Sequence, residues 1–193
     1  MKAILLTLTS LLLTFSAHAQ GTVEFANDAS TAIYTYYGPL VPAGNTYLAQ
    51  LYYGPAGMIR DETFISVTNS PVGFTLAGQF LAGTRYTTLP GGSTGSFQVR
   101  VWAAVLGSDW ETAYVNWQTT NGPYAGKLLG KSGIIQVVVA DPFAVPPQTP
   151  TSLVASGFQG FWLRGFEPVP EPSTLALGAV GVTVLLWRRR KTR

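Results

Sequence analysis

The side chains best suited to chemistry in this 193-residue chain are aromatic rather than ionisable. Trp102, Trp110, Tyr114 and Trp117 fall close together in sequence, and the last three recur at helical spacing. Rings in that arrangement do one of two things. They fill a core, or they offer an amphipathic face on which a sugar ring can stack. Nucleophilic and metal chemistry has little to draw on. The chain has no cysteine and a single histidine, His18, which lies in a segment expected to be removed. Without it, Ser-His-Asp and Cys-His devices and His/Cys zinc sites are excluded. Asp61 and Glu62 are adjacent, so in a strand they would point to opposite faces and could not flank one bond. Asp109 and Glu111 read as helix-start residues. Neither a Walker-type phosphate loop nor a dinucleotide fingerprint occurs. An Asp-rich calcium loop is missing too, and Asn27-Asp28 is the one minor candidate for a cation. The body is therefore expected to be non-enzymatic and to carry no cofactor and no metal.

The elements that must hold these rings read as strands and turns. Apolar residues make up 47% and charged residues 11%, with 21 Gly and 13 Pro, a composition of strands joined by many turns rather than of a helical bundle. Strand-like runs occur at 22–25, 32–37, 46–53, 97–103 and 134–139, with weaker ones at 64–67 and 72–76 and a last one expected within 153–163. In the clearest, Phe97, Val99, Val101 and Ala103 share one face and Gln98, Arg100 and Trp102 the other. The run at 134–139 is apolar throughout, which predicts a central strand covered on both faces. Ser108 to Glu111 matches a capping box with Ser108 as cap, so a helix should start there, place Trp110, Ala113, Tyr114 and Trp117 on one face, and stop at 121–123. Loops are expected at 89–96 and 141–150. The expected fold class is all-β, a β-sandwich or jelly-roll-like domain over residues 20–167, with one short helix whose aromatics cap an open end of the sandwich.

The two ends differ from this body. Residues 1–19 have a basic start at Lys2, an apolar stretch, and Ala17-His18-Ala19, the three parts of a secretory signal peptide. Ala17 and Ala19 suit the shallow pockets of a signal peptidase, with the cut after Ala19. Residues 168–193 open with prolines at 168, 170 and 172, which keep the segment extended. From Leu175 to Trp187 the chain is apolar and helix-competent, about 20 Å long as a helix against the ~30 Å hydrocarbon core. Arg188, Arg189, Arg190 and Lys191 then form a stop-transfer cluster that stays cytoplasmic. A single transmembrane helix, N-terminus outside, follows from this pattern. The formal +3 charge belongs to these ends. The body keeps six basic residues against eight acidic ones, a net −2, and offers no basic stripe for nucleic acid.

Val169-Pro170-Glu171-Pro172-Ser173-Thr174, the short apolar helix and the terminal basic cluster together resemble the PEP-CTERM sorting signal of Gram-negative bacteria. The resemblance covers residues 168–193. It implies recognition by an exosortase, a membrane protease-transpeptidase that cuts near Pro170, Glu171 and Pro172. It also implies an inner-membrane intermediate, then residence at the cell surface or outside the cell, with a link to exopolysaccharide and biofilm matrix. The alternative is a permanent anchor that is never cut. The body's layout resembles secreted PEP-CTERM proteins of the Verrucomicrobia type, a likeness that brings no activity with it. The same tail is sometimes labelled as the C-terminus of ice-binding proteins. Ice binding would want a regular Thr-x-Thr array, and only Thr7-Leu8-Thr9 and Thr149-Pro150-Thr151 fit. If the signal reading holds, N-terminal sequencing of the exported protein will begin at Gln20; a retained Met1 would refute it.

Overall fold

The computed structural model describes residues 20–36, 38–67, 71–119 and 122–166. The expected signal peptide at 1–19 and the expected transmembrane helix within 168–193 fall outside the described residues. Among those described, no helix is long and apolar enough to cross a membrane. The body is mostly β-sheet with one α-helix, in keeping with the all-β expectation.

Its spine is a pair of long antiparallel strands. β2 (Gly44–Pro55) and β6 (Thr94–Ala103) run in register from Tyr47↔Ala103 to Pro55↔Gly95. On the far side of β6 lie β7 (Leu128–Lys131) and β8 (Ile135–Val138), at opposite ends of the strand. β3 (Ile65–Ser66) and β4 (Val72–Phe74) pair with β2, and β10 (Arg164–Gly165) pairs with β7. A second sheet sets β1 (Thr22–Ala26) between antiparallel β5 (Leu81–Tyr86) and parallel β9 (Thr151–Ser152). The two sheets share one core. Val23 and Phe25 from the small sheet meet Leu51, Tyr53, Phe97, Val99 and Val101 from the large one, with Phe80 and Phe158 filling between.

The other face of the large sheet is covered as well. The alternation of β6 is as expected, but its Gln98–Arg100–Trp102 face does not meet water. A second apolar cluster seals it: Tyr52 and Trp102 from the sheet, Phe64 from the loop after β2, and Leu106, Trp110 and Ala113 from the helical segment. α1 (Trp110–Trp117) thus lies over a sheet face rather than capping an open end. Trp102 closes the strand-to-helix corner by donating its indole N–H to the Gly107 carbonyl at 2.8 Å. Burying such rings contributes on the order of 2–3 kcal/mol each.

Several expected elements differ. Of the run expected at 32–37, the described residues 32–36 form no ladder. Asp28 caps a 3₁₀ turn at Ala29–Thr31 just before it, and its backbone bonds scatter to single residues: Ile33 N–H to Gly78 O, Tyr34 N–H to Phe161 O. The run at 134–139 yields β8, which pairs with β6 alone and leaves Val138 55% exposed while Val137 is in the core, so it is not a central strand covered on both faces. Within 153–163 there is a turn at 153–157 and a single bridge at Trp162, not a strand. Its buried residues, Leu153, Phe158 and Leu163, are spaced five apart, a spacing that suits plugs dropped from a loop and not the period of a strand.

The helix start also moves by one residue. Asp109, not Ser108, is the cap: its Oδ1 accepts from the Thr112 N–H at 2.8 Å and its Oδ2 from the Thr112 hydroxyl at 3.1 Å. The helix ends at Trp117, with Gln118 as its C-cap, before the 121–123 stop signal. Asp109→Ala should therefore cost about 1 kcal/mol of stability, whereas Ser108→Ala should be near neutral. Paired urea titrations check this, and the reverse ranking would restore Ser108 as the cap.

Candidate functional site

A cleft of about 600 Å³ lies on the helix side of the large sheet. One wall is α1, with Trp110, Tyr114 and Trp117. The floor is β7, with Leu129, Gly130 and Lys131. The opposite wall is the segment 160–162 with Arg164.

Each wall is placed for a local reason. Helical spacing brings Trp110 over Tyr114 (ring centroids 6.1 Å) and Tyr114 over Trp117 (6.0 Å), both stacked. The opposite segment is pinned by Tyr34, whose N–H reaches Phe161 O at 3.0 Å and whose carbonyl accepts from Leu163 N–H at 2.8 Å. The Tyr34 ring stacks on Trp162 at 4.8 Å. Two glycines allow the close approach. A Cβ at Gly130 would meet the Trp162 carbonyl at 3.0 Å, and one at Gly160 would collide with the Ala32 carbonyl.

The expected stacking residues do not act as one platform. Trp102 has 0% exposure and offers no face, because α1 covers it. Trp110 is buried at the base of the cleft, in edge contact with Trp102 at 6.1 Å. Tyr114 is 42% exposed, and Trp117 is half-buried with Phe166 set edge-on against it at 5.2 Å. The Trp117 indole N–H is buried and meets no acceptor among the described residues. Trp162, at 52% exposure, and Arg164 were not anticipated. They lie some fifty residues from the helix in sequence, and no local periodicity links the two segments.

Beneath the cleft lies the body's main charged network. Arg100 is almost fully buried, with its guanidinium 4.0 Å above the Tyr52 ring and 5.3 Å from that of Trp110. It donates to Gln98 Oε1 at 3.0 Å, to the Asp61 carbonyl at 3.0 Å and to Asp61 Oδ2 at 3.3 Å, and pairs more loosely with Glu111 at 3.9 Å. Lys131 reaches the same Asp61 Oδ2 at 2.7 Å. Burial pulls the Arg100 guanidinium below its ordinary value, opposed by Asp61, Tyr52 and Glu111. Burial first, then the Glu111 carboxylate, drives the Tyr52 hydroxyl well above the usual phenol range. For Asp61, burial pushes upward, but Lys131 and Arg100 outweigh it and hold the carboxyl below its ordinary value. These groups hold one another, and none is presented as a free acid or base.

Asn27 and Asp28 are likewise occupied. Asn27 accepts from Phe80 N–H at 2.7 Å and donates to Thr31 O and Gly78 O. Asp28 Oδ1 takes the Ser30 and Thr31 N–H and hydroxyl groups, which together lower its pKa. Among the described residues no group of three His, Cys, Asp or Glu side chains is placed to hold a metal ion.

Residues 168–191 match the PEP-CTERM protein-sorting motif. No curated protein and no solved structure matches the chain. The PEP-CTERM tail marks an exported protein directed to an exosortase and to the surface or extracellular space. Pro170, Glu171 and Pro172, like Ala17, Ala19 and the cluster Arg188, Arg189, Arg190 and Lys191, lie outside the described residues.

The Asp61 network carries a pH signature. A carboxyl whose folded pKa is lowered stabilises the fold fully above its unfolded value of about 3.9 and loses that contribution as pH falls through the lowered folded value. Melting temperature should therefore drop below about pH 4. Asp61→Asn should cost about 2 kcal/mol at pH 7, less than a fully buried pair because the Asp61 carbonyl still holds Arg100. It should also flatten part of the acid limb. Asp28 and Asp109 titrate in the same window, so the difference between the two melting curves isolates Asp61. An unchanged acid limb would count against the network.

Proposed function

We propose that this chain is an exported surface or matrix protein, cut by an exosortase near Pro170-Glu171-Pro172, with a non-enzymatic β-sandwich body that serves a structural, exopolysaccharide-associated role. The observation that carries this is the sorting-motif match over 168–191. The route begins with signal peptidase at Ala17 and Ala19 and passes through an inner-membrane intermediate held by the 175–187 helix and its basic stop. The body supports a structural role because Arg100, its buried charge among the described residues, is tied into one network whose carboxylates are held by cations. The sandwich reading rests on the single core shared by its two sheets.

Mass spectrometry of the mature C-terminus in the native host tests the proposal. The expected product ends near residues 170–172, and Glu171→Ala should cut its yield at least tenfold, leaving uncut chain in the membrane. A C-terminus at Arg193 on all surface copies would replace sorting by permanent anchorage.

A further inference from the structure

The charge of the cleft runs against that of the body. The body is net −2, yet among the described residues the charged side chains lining the cleft are two cations, Lys131 and Arg164. The Arg164 side chain has no partner among the described residues and stands exposed at the rim. The carboxylates of the underlying network, Asp61 and Glu111, are engaged by Lys131 and Arg100 and do not line the cleft. The two most exposed rings of the site, Tyr114 and Trp162, stand on opposite walls, with Lys131 on the floor and Arg164 beside Trp162. Trp162 is backed by Tyr34 and Tyr114 by its two neighbours on the helix, so both ring planes are fixed before any ligand arrives. Fixed rings lose little freedom on binding. They prefer a partner with a flat apolar face, and the cations prefer one that also carries regularly spaced negative charge.

We propose that this cleft binds a segment of anionic polysaccharide, a uronic-acid-bearing chain, with sugar rings laid on Tyr114 and Trp162 and carboxylates met by Arg164 and Lys131. A polymer fits because the cleft is open and holds rings on both walls, so several sugars can lie along it. The inference gives a ligand class to the exopolysaccharide association proposed above. It stands on the cleft and not on the sorting tail, so a failed binding experiment and a failed processing experiment are read separately.

The test uses the intact chain in neutral phosphatidylcholine nanodiscs, with tryptophan emission followed during titration with polygalacturonate. The control ligand is the same polymer fully methyl-esterified, which keeps the rings and removes the charge. Free polygalacturonate should bind at least tenfold more tightly than the ester, and binding should weaken as salt rises toward 1 M. Trp162→Ala and Arg164→Gln should each lower affinity at least tenfold, whereas Arg60→Gln, a cation outside the cleft, should leave it unchanged. Arg164→Gln removes an exposed side chain that makes no hydrogen bond, ion pair or ring contact among the described residues, so its melting curve should match the parent and its loss of binding cannot be ascribed to misfolding. Equal affinity for acid and ester, full affinity in Arg164→Gln, or no binding by the intact chain would overturn the proposal. Two further results would assign the cleft another occupant and overturn it equally, both with polymer ineffective. One is cross-linking of the cleft to residues 168–193 or to a second copy; the other is quenching by phosphatidylglycerol-containing discs.

Discussion

Burial of the Arg100 guanidinium between Tyr52, Trp110 and Asp61 is the constraint on which the helix side of this protein turns. A cation taken out of water is tolerated only when its donors are met and its charge is balanced. Satisfying that one group fixes much else. The loop after β2 must bring Asp61 over the sheet, α1 must bring Trp110 and Glu111 to its edge, and Gln98 must turn toward it along β6. Asp61, held by Arg100, in turn anchors Lys131 at the floor of the cleft. A structural arginine thus sets the position of a surface lysine and of the helix that carries the exposed tyrosine.

Much of the fold was legible because strand period and turn chemistry are local. β6 stood out by its alternation and β2 as a run bounded by turn residues at Gly54-Pro55, and both formed. What misled was composition without partners. The aromatic, β-branched run at 32–37 has strand propensity, but Asp28 and Asn27 divert the chain into a capped turn, and tertiary bonds to residues 78 and 161 take the backbone groups a ladder would have used. The 134–139 run looked central because it is apolar on both sides. Its pairing shows that β6 already has β2 on one edge and divides the other between two short strands. Ser108 and Asp109 are both good caps, and choosing between them needed the geometry of the corner made by Trp102 and Gly107.

The site was half legible. The helical spacing of Trp110, Tyr114 and Trp117 was visible, since an i, i+4, i+7 row is a local property. Which of those rings reach solvent was not, because it depends on what lies beneath the helix. Trp102 shares the Arg100 face of β6, and only the helix lying across that face decides that it is core. Trp162 and Arg164 join the site through Tyr34 and β7, contacts between segments far apart in sequence that no periodicity encodes.

The rim strands of the large sheet are short: β3 and β10 have two residues each, β4 three and β8 four. On the small sheet β5 is longer, but Gly83 at φ +69° kinks it, and Arg85 sits along it. Short or bent margins deny an incoming extended chain the row of unpaired amides it would need to add itself. A disulfide-free body delivered to the surface or the exterior therefore offers few long margins on which a copy of itself could template cross-β growth.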